Sequence, residues 1–283
     1  MKKKKNNLST VLLVVLLLTG LSLLLYPSVS DYWNAMHQTR AIATYDKNVA
    51  SLDKVDYDAL WQAADEFNRE LSERENGFSL TDEQKTRYES LLNVSGLGVM
   101  GYIEIPEISC SLPIYHGTDE AVLQVAIGHI EWSSLPVGGA GTHCVLSGHR
   151  GLPSAKLFTN LDKLTVGDTF FLRVLDEVLT YEVDQISIVE PGDVAGLKAE
   201  PGKDYCTLVT CTPYGVNTHR LLVRGHRIEN AQEAARIHVT ADAMQFEPLL
   251  VALALAIPVL LALLIILLLP KRQGKNRRDD IDA

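Results

Sequence analysis

Three residues in this chain have types and settings suited to acyl transfer: Cys211, His149 and Arg220. Cys211 closes the apolar run Thr207-Leu-Val-Thr-Cys211, and Thr212-Pro-Tyr-Gly215 follows at once. A cysteine at the end of a strand, just before a Pro/Gly turn, sits at the rim of a sheet, where a nucleophile is displayed. Its thiolate is a stronger nucleophile at neutral pH than a hydroxyl. His149 has a similar setting. It ends Cys144-Val-Leu-Ser-Gly-His149, and the glycines at 148 and 151 let the backbone bend and leave the imidazole exposed. Arg220 opens a strand nine residues after Cys211. A Cys/His pair far apart in sequence, each at a strand end, fits a nucleophile with its acid/base partner. The guanidinium would supply fixed positive charge to a developing oxyanion.

Spacing alone leaves other readings open. A cysteine in an apolar run also serves as a small buried hydrophobe or as half of a disulfide. Gly225-His226-Arg227 repeats Gly148-His149-Arg150, and nothing in the spacing rejects His226 as the acid. His143, Cys144, His149 and Cys206 can be written as a ligand set, but their spacings match no strong zinc pattern. No metal and no cofactor is expected. The four cysteines, at 110, 144, 206 and 211, allow three complete pairings, and sequence does not choose among them.

The elements that must position these residues are short strands. Alternating or β-branched segments separated by Gly, Pro and Asn predict strands at 100–105, 111–115, 143–147, 169–174, 179–189, 207–211 and 220–226. The pieces 123–129 and 155–163 read as short helical or mixed. Strands this close together, without long helices between them, predict a mainly β domain over 93–229, mostly antiparallel, as a barrel or a sandwich. Ahead of it, Leu52, Val55, Leu60, Trp61, Ala64, Phe67 and Leu71 recur at three- and four-residue steps. They predict an amphipathic helical stalk within 27–92, with Asp53 or Asp56 as a helix cap. Glu75-Asn-Gly77 ends it, and Thr81-Asp-Glu-Gln84 opens a second short helix with Thr81 as its cap.

The 283 residues suffice for one medium domain with appendages, and the 47% hydrophobic content is unevenly spread. Residues 8–26 form one uncharged run and 249–269 another. Each is about the 20 residues a helix needs to cross a bilayer. Lys2 to Lys5 precede the first run, and Lys271, Arg272, Lys275, Arg277 and Arg278 follow the second. Positive flanks stay in the cytoplasm, so both tails, 1–7 and 270–283, are expected inside and residues 27–247 outside, with 230–247 a linker to the second span. A cleaved signal peptide, ending near Ser28-Val-Ser30, is the other reading of the first run. Of 26 basic residues nine lie in the tails, and of 35 acidic residues three do, which leaves 17 against 32 and an outer segment of −15. So acidic a segment argues against nucleic acid as a partner.

Together these motifs resemble the sortases. Thr207-Leu-Val-Thr-Cys211, the Thr-Pro-Tyr-Gly after it and Asn217-Thr-His-Arg220 are similar to the family's cysteine signature. Leu146-Ser-Gly-His-Arg-Gly151 is similar to its histidine loop, and Met100-Gly-Tyr-Ile-Glu-Ile-Pro106 and Leu112-Pro-Ile-Tyr-His-Gly117 to its first barrel strands. Two spans and a helical segment before the barrel make it most similar to class C, the pilin-polymerising sortases of Gram-positive bacteria. The resemblance implies a closed eight-stranded β-barrel and a site of Cys211, His149 and Arg220. It implies cleavage of a Leu-Pro-any-Thr-Gly signal (LPXTG) between Thr and Gly through a Cys211 thioester. A lysine amine of a pilin subunit, or a cell-wall precursor, then accepts the acyl group. It gives His226 no role. Class C members carry an Asp-Pro-aromatic lid; here the matching stretch, within 75–80, reads Asn76-Gly-Phe78. Phe78 can still cover Cys211, but Asn76 lacks the charge to pair with Arg220, and Gly77 is looser than proline, so a weaker lid is expected. Asn-Gly as a plain turn between helices is the alternative. A sortase that anchors surface proteins to the wall is a second enzymatic reading, and a non-catalytic scaffold with all four cysteines oxidised lies in another class.

Overall fold

The computed structural model describes residues 8–74 and 78–230. The chain divides into two compact units, and Val29–Met244 forms the larger. Helix α1 spans Leu8–Val49, α2 Lys54–Ser72, α3 Asp82–Ser90 and the short α4 Glu120–Leu123. Eight strands follow in chain order: β1 Val99–Ile105, β2 Cys110–His116, β3 Ile127–His129, β4 Thr142–Ser147, β5 Thr169–Val174, β6 Glu177–Val189, β7 Asp204–Thr212 and β8 His219–Ile228. They close into a barrel in the order β1-β2-β3-β4-β7-β8-β6-β5. The expected span at 249–269, the linker beyond residue 230 and both tails lie outside the described residues.

The barrel is mostly antiparallel, as expected, with two parallel pairs. β2–β3 and β4–β7 are parallel pairs, and the other contacts are antiparallel. β3 is the strand that the sequence pattern does not show. It has three residues, too few for a period-two pattern, and it follows α4 directly, so the two together read as one mixed piece. Closure removes open edges, and side chains alternate between a packed interior and an outer face. Along β7 and β8 the inward set is Cys206, Leu208, Leu221 and Val223, which joins Cys144, Leu146, Phe158 and Phe170 in the main core. The outward set is Val209 and Leu222, which forms a separate apolar patch with Val145 and Leu197.

Three helices clasp the barrel, each through a buried polar group. From α1, the Tyr45 hydroxyl donates to the Met100 carbonyl at 3.0 Å and accepts from the Leu175 N–H at 2.7 Å. From α2, the Asn68 amide donates to the Leu135 carbonyl at 3.1 Å and accepts its N–H at 2.7 Å. From α3, the Tyr88 hydroxyl accepts the Gly117 N–H at 2.9 Å and lies 3.0 Å from the His129 ring. The caps agree with the sequence: Asp53 accepts from the Asp56 N–H, and Thr81 and Gln84 form a complete capping box. One position departs from the expected stripe. Val55 is exposed, because at 100° per residue it lies on the side of α2 opposite Leu60, Ala64, Phe67 and Leu71. The apolar run and the start of the stalk are one helix, with Pro27 inside it.

Candidate active site

β7 and β8 pair in antiparallel register with Cys211 opposite Arg220. Both lie at the end of the barrel where β7 finishes and β8 begins. By alternation Cys211 shares the outer face with Val209, and Arg220 shares it with Leu222. Cys211 is partly accessible, whereas the other three cysteines are buried. The Arg220 guanidinium donates to the carbonyls of Asn217 and His219, at 3.3 and 3.1 Å, which holds it over the mouth of its own turn. Asn217 takes a left-handed φ of 61° there, a conformation that Asn tolerates better than most residues.

His149 reaches the same rim by a different route. β4 runs parallel to β7 with Cys144 opposite Cys206 and Ser147 opposite Val209. Continued two residues, that register sets His149 against Cys211. The continuation is held by hydrogen bonds: the Gly148 N–H donates to the Val209 carbonyl at 3.0 Å, and the Thr210 hydroxyl donates to the Gly148 carbonyl at 2.8 Å. The residue before His149 and the residue before Cys211 are therefore locked to each other. Glycine is required at 148, because a Cβ there would lie 2.7 Å from the Phe158 ring and 2.9 Å from Ile127. The His149 carbonyl accepts the Phe158 N–H at 3.2 Å, and its Nε2 lies 4.0 Å from the Glu120 carboxylate.

Several residues that sequence reasoning passed over support this rim. Arg150 pairs with Asp162, reaches the Thr212 hydroxyl at 3.4 Å and lies over the Tyr214 ring at 5.8 Å. It thus ties the histidine loop to the turn after Cys211. Gly151, at φ +76°, lets that ring come within 2.9 Å of where a Cβ would stand. Thr210 gave no signal, because its inward face appears only once the barrel closes.

The other candidates are placed elsewhere. His226 is six residues along β8 from Arg220, which at about 3.4 Å per residue is about 20 Å away. It faces Asp184, at 4.0 Å. His143 and Cys144 are consecutive and point to opposite faces. The His143 ring contacts the Thr207 hydroxyl at 2.7 Å and the Lys198 carbonyl at 3.0 Å. Burial lowers its pKa and keeps it neutral. Cys144 and Cys206 lie inside the barrel as free thiols, and so does Cys110, which burial pushes up to about 12. Among the described residues, no group of three His, Cys, Asp or Glu converges as a metal set.

Of the lid residues, Phe78 is described and Asn76 lies outside the described residues. Phe78 packs edge-on against Trp132, with ring centres 5.0 Å apart, and the Lys198 ammonium lies 5.6 Å from its centre. Trp132 in turn packs on the Val145–Leu197–Val209–Leu222 patch, on the same outer face as Cys211. The loop carrying Lys198 is held there by His143. Phe78 therefore lies at the rim of an apolar bed that leads along β7 towards the thiol.

A family model described as "Sortase domain" matches residues 103–228. Sortase C1 of Streptococcus agalactiae is 53% identical in its solved structure, with a TM-score of 0.66; the match covers 68% of this chain and all of that one. Sortase C of Streptococcus pneumoniae, in a structure described for its catalysis and pilin substrate specificity, is 46% identical with a TM-score of 0.62, over 68% of this chain and 97% of that one. Sortase A of Staphylococcus aureus is 28% identical over 222 residues, which is 77% of this chain and 93% of the relative.

Proposed function

The chain belongs to the sortase family of cysteine transpeptidases, and from that premise we propose that it joins pilin subunits through a thioester on Cys211. The substrate is a Leu-Pro-any-Thr-Gly sorting signal. The Cys211 sulfur attacks the threonine carbonyl, and the carbon–sulfur bond forms as negative charge gathers on the oxygen. Arg220 stabilises that oxyanion. The Thr–Gly carbon–nitrogen bond then breaks, and His149 gives its proton to the departing amine. A lysine amine from the next pilin subunit attacks the thioester, His149 takes the excess proton, and the thiolate is released. No metal or cofactor is needed for this sequence of steps.

The observation that carries the reading is the meeting of two independent registers at one rim. Antiparallel pairing sets Cys211 against Arg220, and the parallel pairing of β4 with β7 leads His149 to the same place. The apolar bed beside Cys211 suits the Leu-Pro part of the signal, and Phe78 on Trp132 stands at its edge. We read Phe78 as a lid that competes with substrate for this bed. Pilin as the substrate is supported by the likeness to the two streptococcal C-type sortases. The first apolar helix serves as an anchor, with the barrel outside the cell and residues 249–269 as a second span, so that both tails are cytoplasmic.

The test is intact mass of the full-length chain in detergent after incubation with a Leu-Pro-any-Thr-Gly peptide. A hydroxylamine-sensitive acyl adduct is expected on the parent and absent from Cys211→Ala. An adduct that persists on Cys211→Ala would overturn the assignment. Phe78→Ala is expected to acylate several-fold faster than the parent; an unchanged rate would mean that Phe78 does not gate the bed. An SDS-resistant pilin ladder that needs the enzyme separates polymerisation from wall anchoring.

A further inference from the structure

The larger unit carries an exposed stripe, apolar at one end and basic at the other, that the catalytic reading does not use. On α1, Val29, Tyr32, Trp33, Met36, His37 and Arg40 are all exposed. They recur at steps of three, one, three, one and three, which is one face of a helix. The opposite face is occupied. Asp31 accepts the Lys156 N–H at 2.9 Å, the Asn34 amide donates to the Ser154 carbonyl at 2.8 Å, and Gln38 donates to the Val125 carbonyl at 2.6 Å. The outer stripe is thus presented by a helix pinned in place, with Tyr32 64% and Trp33 63% exposed.

We propose that this stripe is a docking face for the lipid headgroup layer of the membrane. Three observations select that occupant. Val29 follows the uncharged run 8–26 by three positions, so the chain has just left any bilayer that the run crosses. The stripe is graded in composition: aliphatic Val29, aromatic Tyr32 and Trp33, Met36, then His37 and Arg40. Tyr and Trp prefer the interface, and cations meet anionic headgroups just beyond it. Val29 to Trp33 rises about 6 Å along the axis, within the roughly 5–8 Å of headgroup layer on one side of a bilayer, and Met36, His37 and Arg40 follow just beyond it. The lone acid in this segment, Asp31, is turned towards the barrel.

The consequence is positional. Ser154 and Lys156, which hold the inner face of this helix, lie in the loop that continues from His149 to Phe158. A stripe seated in headgroups would hold the histidine loop close to the membrane surface. The enzyme would then favour sorting signals that emerge only a few residues outside the bilayer over the same signals free in solution. This last step rests on the catalytic reading above; the docking itself does not.

The experiment uses the full-length chain in vesicles of phosphatidylcholine and phosphatidylglycerol whose acyl chains are brominated near the headgroup end. The chain has three tryptophans, so the parent is compared with Trp33→Phe. A quenched emission component that disappears in Trp33→Phe is expected, whether or not the enzyme is active. Equal fractional quenching in both would overturn the docking face. Cross-links between copies through the stripe, with no Trp33 quenching, would overturn it in favour of a second copy. The positional consequence is read from Tyr32→Ser/Trp33→Ser/Met36→Ser. Its transfer from a vesicle-anchored substrate is expected to fall on the order of tenfold, with the soluble peptide unaffected, because effective concentration and orientation are lost. Equal loss on both substrates would mean that the stripe matters to folding rather than to membrane seating.

Discussion

Arg220 and Cys211 face each other in one cross-strand pair, and the proposed chemistry asks different things of each. Cys211 must be reachable, and it is the one cysteine of the four that is not buried. Arg220 must be held, and two carbonyls of its own turn hold it. An ammonium at the same place would keep the charge but lose the planar fork that can bond backbone and oxyanion together. Arg220→Lys is therefore expected to lower kcat/KM by about 10²-fold with little change in Tm, in the range seen when an oxyanion donor is lost. Peptide-transfer kinetics beside a thermal melt would check it. A loss of less than tenfold would show that charge alone suffices.

At the scale of elements, the site is a junction between a parallel and an antiparallel strand pair, and Gly148 is its pivot. It bonds to β7 through both its N–H and its carbonyl, while Phe158 and Ile127 close over the space a side chain would take. Gly148→Ala is expected to destabilise the domain by about 1–3 kcal/mol, the usual cost of an overpacked core, and to displace His149. Phe158→Leu in the same chain should recover part of both losses, since it relieves the clash. Activity that falls without any change in Tm would contradict this account. Thr210 adds a second lock from inside the barrel. Thr210→Val leaves the buried Gly148 carbonyl without its hydroxyl donor and is expected to cost about 1–3 kcal/mol, read from a denaturant melt.

For the molecule as a whole, buried histidines set a lower pH limit to stability. Burial holds His116 and His143 below the ordinary imidazole value, and both use their ring nitrogens on backbone or hydroxyl groups. The unfolded chain takes up protons near pH 6.5 while the folded one still resists. Stability from these groups is therefore complete above about pH 6.5 and falls as pH drops through the window below it, down to the folded pKa values. Tm is expected to decline across that window, and less steeply in His143→Gln. A Tm that rises on acidification there would refute the sign.

Sequence by itself marked Cys211, His149 and Arg220 as candidates and determined the kind of element each stands on. Cysteine and histidine at strand ends before Gly and Pro turns need little more than local chemistry to be recognised, and the caps at Asp53 and Thr81 are equally local. The first uncharged run, which lies within α1, is of the same kind, and the second lies outside the described residues. What only the tertiary structure decided is anything that depends on which strands are neighbours. His149 and His226 sit in two copies of one tripeptide; the pairing of β4 with β7 leads the first towards the Cys211 end of the barrel, and the register of β8 sets the second about 20 Å from Arg220. The three-residue β3, the inward hydroxyl of Thr210 and the Phe78–Trp132 contact likewise join residues far apart in the chain. The physical reason is that hydrogen-bond register and side-chain packing are properties of pairs, and a single strand read alone carries only its own half of each.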